Sequence, residues 1–214
     1  MTTITVPTRL LAAVTKWAHR DAERPTGCVA FRPGTPGTGS IVATDGYRLV
    51  VVPWLIPGDR PFGVERAHLL AAIAAQDSYD DDECSFGPDG ERRIDIGPNA
   101  SVVDVIIIKH SAAKHNVVVR VPLRVLDKYP AIDQVFRPVS NHEQTPTPDG
   151  YLLDARFLAA VEEVNTASLR WSTAAKNGVR VVQWGRVDPD GSRPAVILQN
   201  IHGVKFAIMP LREP

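Results

Sequence analysis

The pentapeptide LLAAV at residues 10–14 returns as LLAAI at 69–73 and as FLAAV at 157–161. Leucine and alanine are common, so the weight rests on the flanks. A short apolar or β-branched stretch precedes each copy: ITV from Ile4, FGV from Phe62 and YLL from Tyr151. A helix start follows. Pro7 suits the first turn of the first helix, and Asp154 suits the N-cap of the third. In the first helix Leu10, Val14 and Trp17 form an apolar stripe that can cover a sheet. The paired alanines allow a close neighbour.

Strand-like segments broken by turn residues follow each helix. After the first come TGCVAF (26–31), SIVATDG (40–46) and YRLVVVPW (47–54), with the loop RPGTPGTGS joining the first two. After the second come ECSFG (83–87), RRIDIG (92–97), SVVDVIII (101–108) and NVVVRV (116–121). After the third come SLRWST (168–173), VRVVQW (179–184), AVILQN (195–200) and VKFAIMPL (204–211). PDGE, Asn177-Gly178 and DPDG supply turns. The chain is therefore expected to be α+β, built from three copies of one unit: a strand, a helix, then three or four antiparallel strands. A polar, proline-rich stretch at 139–150 reads as a linker. It divides the chain into 1–138, with two units, and 151–214, with one.

Composition narrows the function. Lys plus Arg and Asp plus Glu number 24 each, so net charge steers the protein toward neither nucleic acid nor membrane. Cys28 and Cys84 lie in strand-like stretches without a CxxC pattern, which argues against a disulfide framework or a zinc site and for buried packing. The N-terminus lacks the basic and apolar regions of a signal peptide. The longest apolar run, LVVVPWLIP, is broken by two prolines. A soluble, cytoplasmic protein is expected. Signs of catalysis are weak. The acidic run Asp80, Asp81, Asp82 and Glu83 lacks the glycine and alternation of a calcium loop. No HExxH, GxSxG or phosphate-binding glycine loop occurs. No cofactor and no enzymatic activity are expected.

The most specific words are VATDGYRLVVV (42–52), YPAIDQVFRP (129–138) and FAIMPLR (206–212), in this order. Together they resemble the bacterial replicative sliding clamp, the beta subunit of DNA polymerase III. The resemblance implies the DNA-clamp fold, in which two such units make one domain, helices line a ring and sheets lie outside. Residues 1–138 resemble the middle clamp domain and 151–214 the second half of the last, about one and a half domains in all. It also implies a cleft that docks clamp-binding peptides of polymerases, the clamp loader and repair proteins. Thr44, Gly46, Tyr47, Arg48 and Leu49 would come from the first motif, Pro130 and Val135 from the second, and Ile208, Met209, Pro210, Leu211 and Arg212 from the third. Leu49, Val135, Ile208, Met209 and Leu211 would give an apolar floor with an adaptable methionine, and Pro130 and Pro210 rigid walls. Arg48 and Arg212 would bond carbonyls or carboxylates at the rim. Gly46 would turn the chain at positive φ. Tyr47 departs from the family's usual histidine, and Glu213 and Pro214 from its terminal leucine.

Arg9, Lys16 and Arg20 are spaced by seven and four. A continuous helix puts them on one face, opposite Leu10, Val14 and Trp17, with Ala12 and Ala13 keeping that face low. With Arg66 on the second helix they are the candidates for sequence-independent contact with double-stranded DNA phosphates. The loop KHSAAKH (109–115) is a further basic stretch. Glu162 and Glu163 on the third helix oppose such contact. Three units cannot close a ring alone. A twelve-unit ring needs four chains as a homo-oligomer, and the odd unit must pair across an interface. The alternative is an adaptor or decoy that binds clamp-motif peptides without encircling DNA.

Overall fold

The strands lie close to where the sequence predicts them, but their partners are not those of self-contained units. The computed structural model describes residues 4–34, 39–77, 93–98, 102–107, 117–136, 153–169, 179–183 and 195–209. The strands are β1 (Ile4–Pro7), β2 (Cys28–Pro33), β3 (Gly39–Thr44), β4 (Arg48–Pro53), β5 (Phe62–Glu65), β6 (Arg93–Pro98), β7 (Val102–Ile107), β8 (Val117–Pro122), β9 (Val179–Gln183), β10 (Val196–Asn200) and β11 (Lys205–Ile208). The helices are α1 (Thr8–Thr15), α2 (Arg66–Asp77), α3 (Ile132–Val135) and α4 (Ala155–Leu169). The segments 83–87 and 109–115, the expected linker and Cys84 lie outside the described residues.

Among the described residues two antiparallel sheets form, with orders β1-β6-β7-β8 and β5-β2-β3-β4-β11-β10-β9. The strand ahead of each of the first two helices crosses to the other unit's sheet. Ile4 to Pro7 pair with Ile96 to Arg93, and Phe62 to Glu65 pair with Phe31 to Cys28. Unit three is no isolated half-domain. Lys205 to Ile208 of β11 pair with Val51 to Arg48 of β4, so one sheet runs across both ends of the chain and this edge is closed.

α1 lies between α2 and α4 and packs on β1, β2 and β3. Leu10, Leu11, Ala13, Val14 and Trp17 are buried with Phe31, Leu69, Val164 and Phe206 in the main core. Each such aliphatic side chain contributes about 1.5–3 kcal/mol relative to exposure. The Trp17 and Phe206 rings sit 5.7 Å apart. A smaller core on the opposite sheet face holds Ala30, Val42, Leu49, Ile197 and Ala207 under Leu126, Tyr129, Ile132 and Phe136. The segment after β8 is brought there by backbone hydrogen bonds between Gly63 and Arg124 (2.8 and 2.9 Å). A Cβ at Gly63 would come within 3.0 Å of Cys28 Sγ and Leu126 Cδ2.

Several expectations change. Pro7 is the residue before α1, with φ −58° and ψ 132°, not part of its first turn. α1 ends at Thr15, where the hydroxyl donates to the Leu11 carbonyl (2.6 Å) and Trp17 N bonds back to Val14 O (2.9 Å). Arg20 therefore lies off the helix, and Ala13 faces the core, not a basic stripe. Ser168 and Leu169, read as the start of a strand, are helical. Asp154 caps α4 as expected, its carboxylate accepting from Arg156 N (2.9 Å).

α4 is fastened to the β10–β11 hairpin by a buried polar group. Asn200 Nδ2 donates to Asn165 Oδ1 and Ser168 Oγ, both 3.0 Å, while its Oδ1 accepts from His202 N (2.9 Å) and Val204 N (3.0 Å). Asn200→Ala leaves Asn165 Oδ1 and Val204 N buried without these bonds, so a loss of about 2–4 kcal/mol is expected in urea unfolding. Asn200→Asp keeps the turn acceptors but sets an oxygen against Asn165 Oδ1, and is expected to be destabilising as well. Burial pushes the Cys28 thiol up to about 11. With Cys84→Ser as background, iodoacetamide at pH 8.5 is expected to label Cys28 only after unfolding.

Candidate peptide-docking cleft

The turn from Thr44 to Arg48 is fixed by its own side chains. Asp45 Oδ1 accepts from Tyr47 N (3.0 Å) and Arg48 N (3.1 Å), and Thr44 Oγ1 accepts from Gly46 N (3.1 Å) while donating to Arg48 O (2.7 Å). Gly46 has φ 98°, as the sequence predicts, and a Cβ there would meet nothing within 4 Å. Backbone conformation, not space, therefore demands glycine. The Tyr47 carbonyl accepts from Met209 N (2.8 Å), extending the β4–β11 ladder by one bond.

This brings three distant segments around one cleft of about 160 Å³ on the sheet face away from the helices. Thr44, Gly46, Tyr47, Arg48 and Leu49 line it from the turn and β4, Pro130, Ile132 and Val135 from the α3 segment, and Ala195, Ala207 and Met209 from the far strands. Leu49, Ile132 and Ala207 are buried. At the mouth Tyr47, Met209 and Val135 remain 66%, 43% and 38% exposed. Ile132 is held in the smaller core, and Arg32 and Asp133 beside it form an ion pair at 3.1 Å. The Lys205 ammonium lies 5.6 Å from the Phe136 ring centre. The volume is below the roughly 300–1,000 Å³ of small-molecule sites and suits one or two apolar anchor side chains of a peptide.

Nine of the twelve residues predicted for the cleft fall among the described residues, and eight line it. The exception is Ile208, which is fully buried in the helix-facing core. Register explains this: Ala207 stands opposite Leu49, whereas Ile208 stands opposite Arg48. Side chains alternate along a strand, so Ala207 shares the cleft face with Leu49 and Ile208 cannot. Pro210, Leu211 and Arg212 lie outside the described residues. Ile132, Ala195 and Ala207 were not foreseen. The period of two was the available signal for Ala207; nothing local marked Ala195.

Arg48 does not work as a free rim donor. Its Nε pairs with Asp45 Oδ2 (2.9 Å) and Nη2 donates to Lys16 O (2.9 Å). The guanidinium lies 5.1 Å from the Trp17 ring centre and 5.2 Å from that of Phe157. This cation–π packing ties the turn to α1 and α4.

Of the four predicted DNA-contact residues, three come together and one stands apart. Arg9 lines a groove between α1 and α4 with Glu162 and Glu163. Lys16 forms an ion pair with Glu163. Arg20 and Arg66 line a recess of about 730 Å³ beside the turn, together with Lys16, Arg48 and Arg156. Arg156, which the sequence reading passed over, is paired with Asp154. Lys16, Arg20 and Arg66 thus share one recess, and Arg9 lies in the neighbouring groove. Among the described residues, no helix is long and apolar enough to cross a membrane and no group of three metal-ligating side chains occurs.

The chain matches no family profile and no curated protein. Solved structures do match. The DNA polymerase III beta subunit of Borrelia burgdorferi, solved with a natural product, covers 100% of this chain at TM-score 0.61 and 10% identity. That of Thermotoga maritima covers 99% at TM-score 0.58 and 13% identity. The Bartonella birtlesii sliding clamp, bound to griselimycin, covers 99% at TM-score 0.58 and 12% identity. The chain spans 65%, 65% and 66% of these three proteins respectively. It therefore has the fold of the bacterial sliding clamps over about two thirds of their length.

Proposed function

We propose that the protein is a sliding-clamp-like accessory of DNA replication or repair that docks clamp-binding peptides of a polymerase, clamp loader or repair protein and carries out no reaction itself. One observation carries this reading: segments 44–49, 130–135 and 207–209 meet around a single small apolar cleft. The fold likeness to the Borrelia and Bartonella clamps supports it. In this reading residues 1–138 are a complete clamp-like domain, 139–150 a linker and 151–214 a partial domain joined through β4 and β11. As a processivity factor it would tether partners to DNA by ring closure of several chains.

The helical face favours a second reading for the DNA side, that of an adaptor that holds peptides without encircling DNA. Between Arg66 and Ala75, α2 exposes Ala67, Ala71 and Ala74, and α4 exposes Glu162 and Glu163. Phosphates would meet few unpaired cations there.

Tyr47→Ala combined with Met209→Ala changes only exposed side chains. It is expected to weaken a fluorescein-labelled clamp-binding peptide from a bacterial DNA polymerase about ten- to hundredfold, read by anisotropy. Leu55→Ala, equally exposed but away from the cleft, should change nothing. Unaltered binding in the double variant would remove the cleft from the proposal. For DNA, Arg9, Arg20 and Arg66 are the unpaired cations on this face among the described residues. A short duplex is therefore expected to bind with a log–log salt slope no steeper than about −3. A much steeper slope, or retention on circular but not linear DNA, would favour the ring.

A further inference from the structure

The recess that holds Arg20 and Arg66 adjoins the cleft. Tyr47 and Arg48 line both, one on each side of the 45–48 turn. The recess is cationic, and its charges differ in what they are free to do. Lys16 is bound to Glu163, Arg48 to Asp45 and Arg156 to Asp154. Arg20 and Arg66 have no carboxylate partner among the described residues. Arg66 Nε is moreover buried without a hydrogen-bond partner there. Burial, and after it the charges of Arg20 and Arg48, push the Arg66 guanidinium below its ordinary range. A buried guanidinium donor among like charges is stabilised when an anion enters.

We propose that the cleft and the recess form one bipartite docking site: an apolar segment of the partner fills the cleft, and an acidic side chain flanking it crosses Tyr47 to pair with Arg20 and Arg66. This rests on the peptide-docking reading and adds to it the chemistry of the partner, an apolar anchor with an acidic flank. Continuity of the two cavities through Tyr47 and Arg48 favours a peptide over a nucleic-acid backbone. So do Glu163, which lines the same recess, and Glu162 beside it, which would repel a run of phosphates.

The test compares the polymerase peptide alone with versions carrying Asp-Glu or Gly-Ser at either end, against the full chain and its Arg20→Gln and Arg66→Gln variants. Arg20 is exposed in a loop and Arg66 Nε has no partner among the described residues, so both variants should fold. The acidic flank, at one end, is expected to tighten binding about tenfold at low salt, and the gain to shrink as salt rises. Each variant should lose most of the gain and bind the Gly-Ser peptide unchanged. Equal binding of the two flanks, or a gain that survives both substitutions, overturns the proposal. Loss of affinity for a short duplex in the same variants, with no gain from the acidic flank, overturns it in favour of a phosphate backbone. If the Gly-Ser peptide fails to bind while the acidic one binds and is insensitive to Tyr47→Ala with Met209→Ala, the cleft reading has failed. The arginine recess then stands as a separate anion site, and the bipartite proposal is overturned with the cleft.

Discussion

The pairing of β4 with β11 is the constraint on which the rest of the molecule depends. It joins residues more than 150 positions apart into one sheet, Lys205 against Val51 through Ile208 against Arg48. Without it, β4 and β11 would each present a row of unpaired amides and carbonyls. Backbone bonds alone would leave the seam free to slip, but side chains on both sheet faces hold its register. On one face Phe206 packs on Trp17 in the main core; on the other Ala207 meets Leu49 in the smaller one. A shift of β11 by one residue would exchange its two faces and drive Ile208 into the cleft. Arg48 reinforces the seam from the helix side, since its guanidinium touches the turn, the α1 terminus and the α4 ring of Phe157 together.

The same seam separates two chemistries. Among the described residues, the face away from α1, α2 and α4 is covered by the segment around α3, and the cleft opens where that cover ends. Its mouth keeps Tyr47 and Met209 exposed, an arrangement that costs stability in an isolated chain and is repaid on contact with an apolar partner. On the helical face Lys16, Arg48 and Arg156 are matched by carboxylates, whereas Arg9, Arg20 and Arg66 have none among the described residues. The Lys16–Glu163 pair is exposed and contributes little to stability, but it removes a cation from the face on which DNA contact was expected. Peptide docking and DNA contact therefore do not have equal physical support.

The units themselves were legible in the sequence because their signals are local. The three alanine-rich phrases predicted helices, and alternating β-branched runs predicted most strands. ATDG predicted a turn with glycine at positive φ, which Gly46 has. What stayed hidden depends on partners. Nothing in ITV or FGV says that β1 and β5 pair outside their own units, because strand periodicity reveals faces, not neighbours. The spacing of Arg9, Lys16 and Arg20 suits a helix that in fact ends at Thr15, so a valid periodicity was carried past its domain. Ile208 was assigned to the cleft by motif position, although alternation from Leu49 and its partner Ala207 gives the opposite face.

The cleft's position also decides how occupancy would act on the fold. The first two units are interlocked by their exchanged strands, β1 with β6 and β5 with β2. The third unit is held by the β4–β11 seam, by α1 against α4 and by the Arg48 contacts. The cleft is lined from both sides of that seam, with Leu49 and Tyr47 on one side and Ala207 and Met209 on the other. A segment seated there gains its full contact only while the seam is paired. By linkage its binding free energy adds to that of the pairing itself, as RT ln(1 + [L]/Kd). Docking would tighten the joint between the two parts of the chain without any movement of the helices.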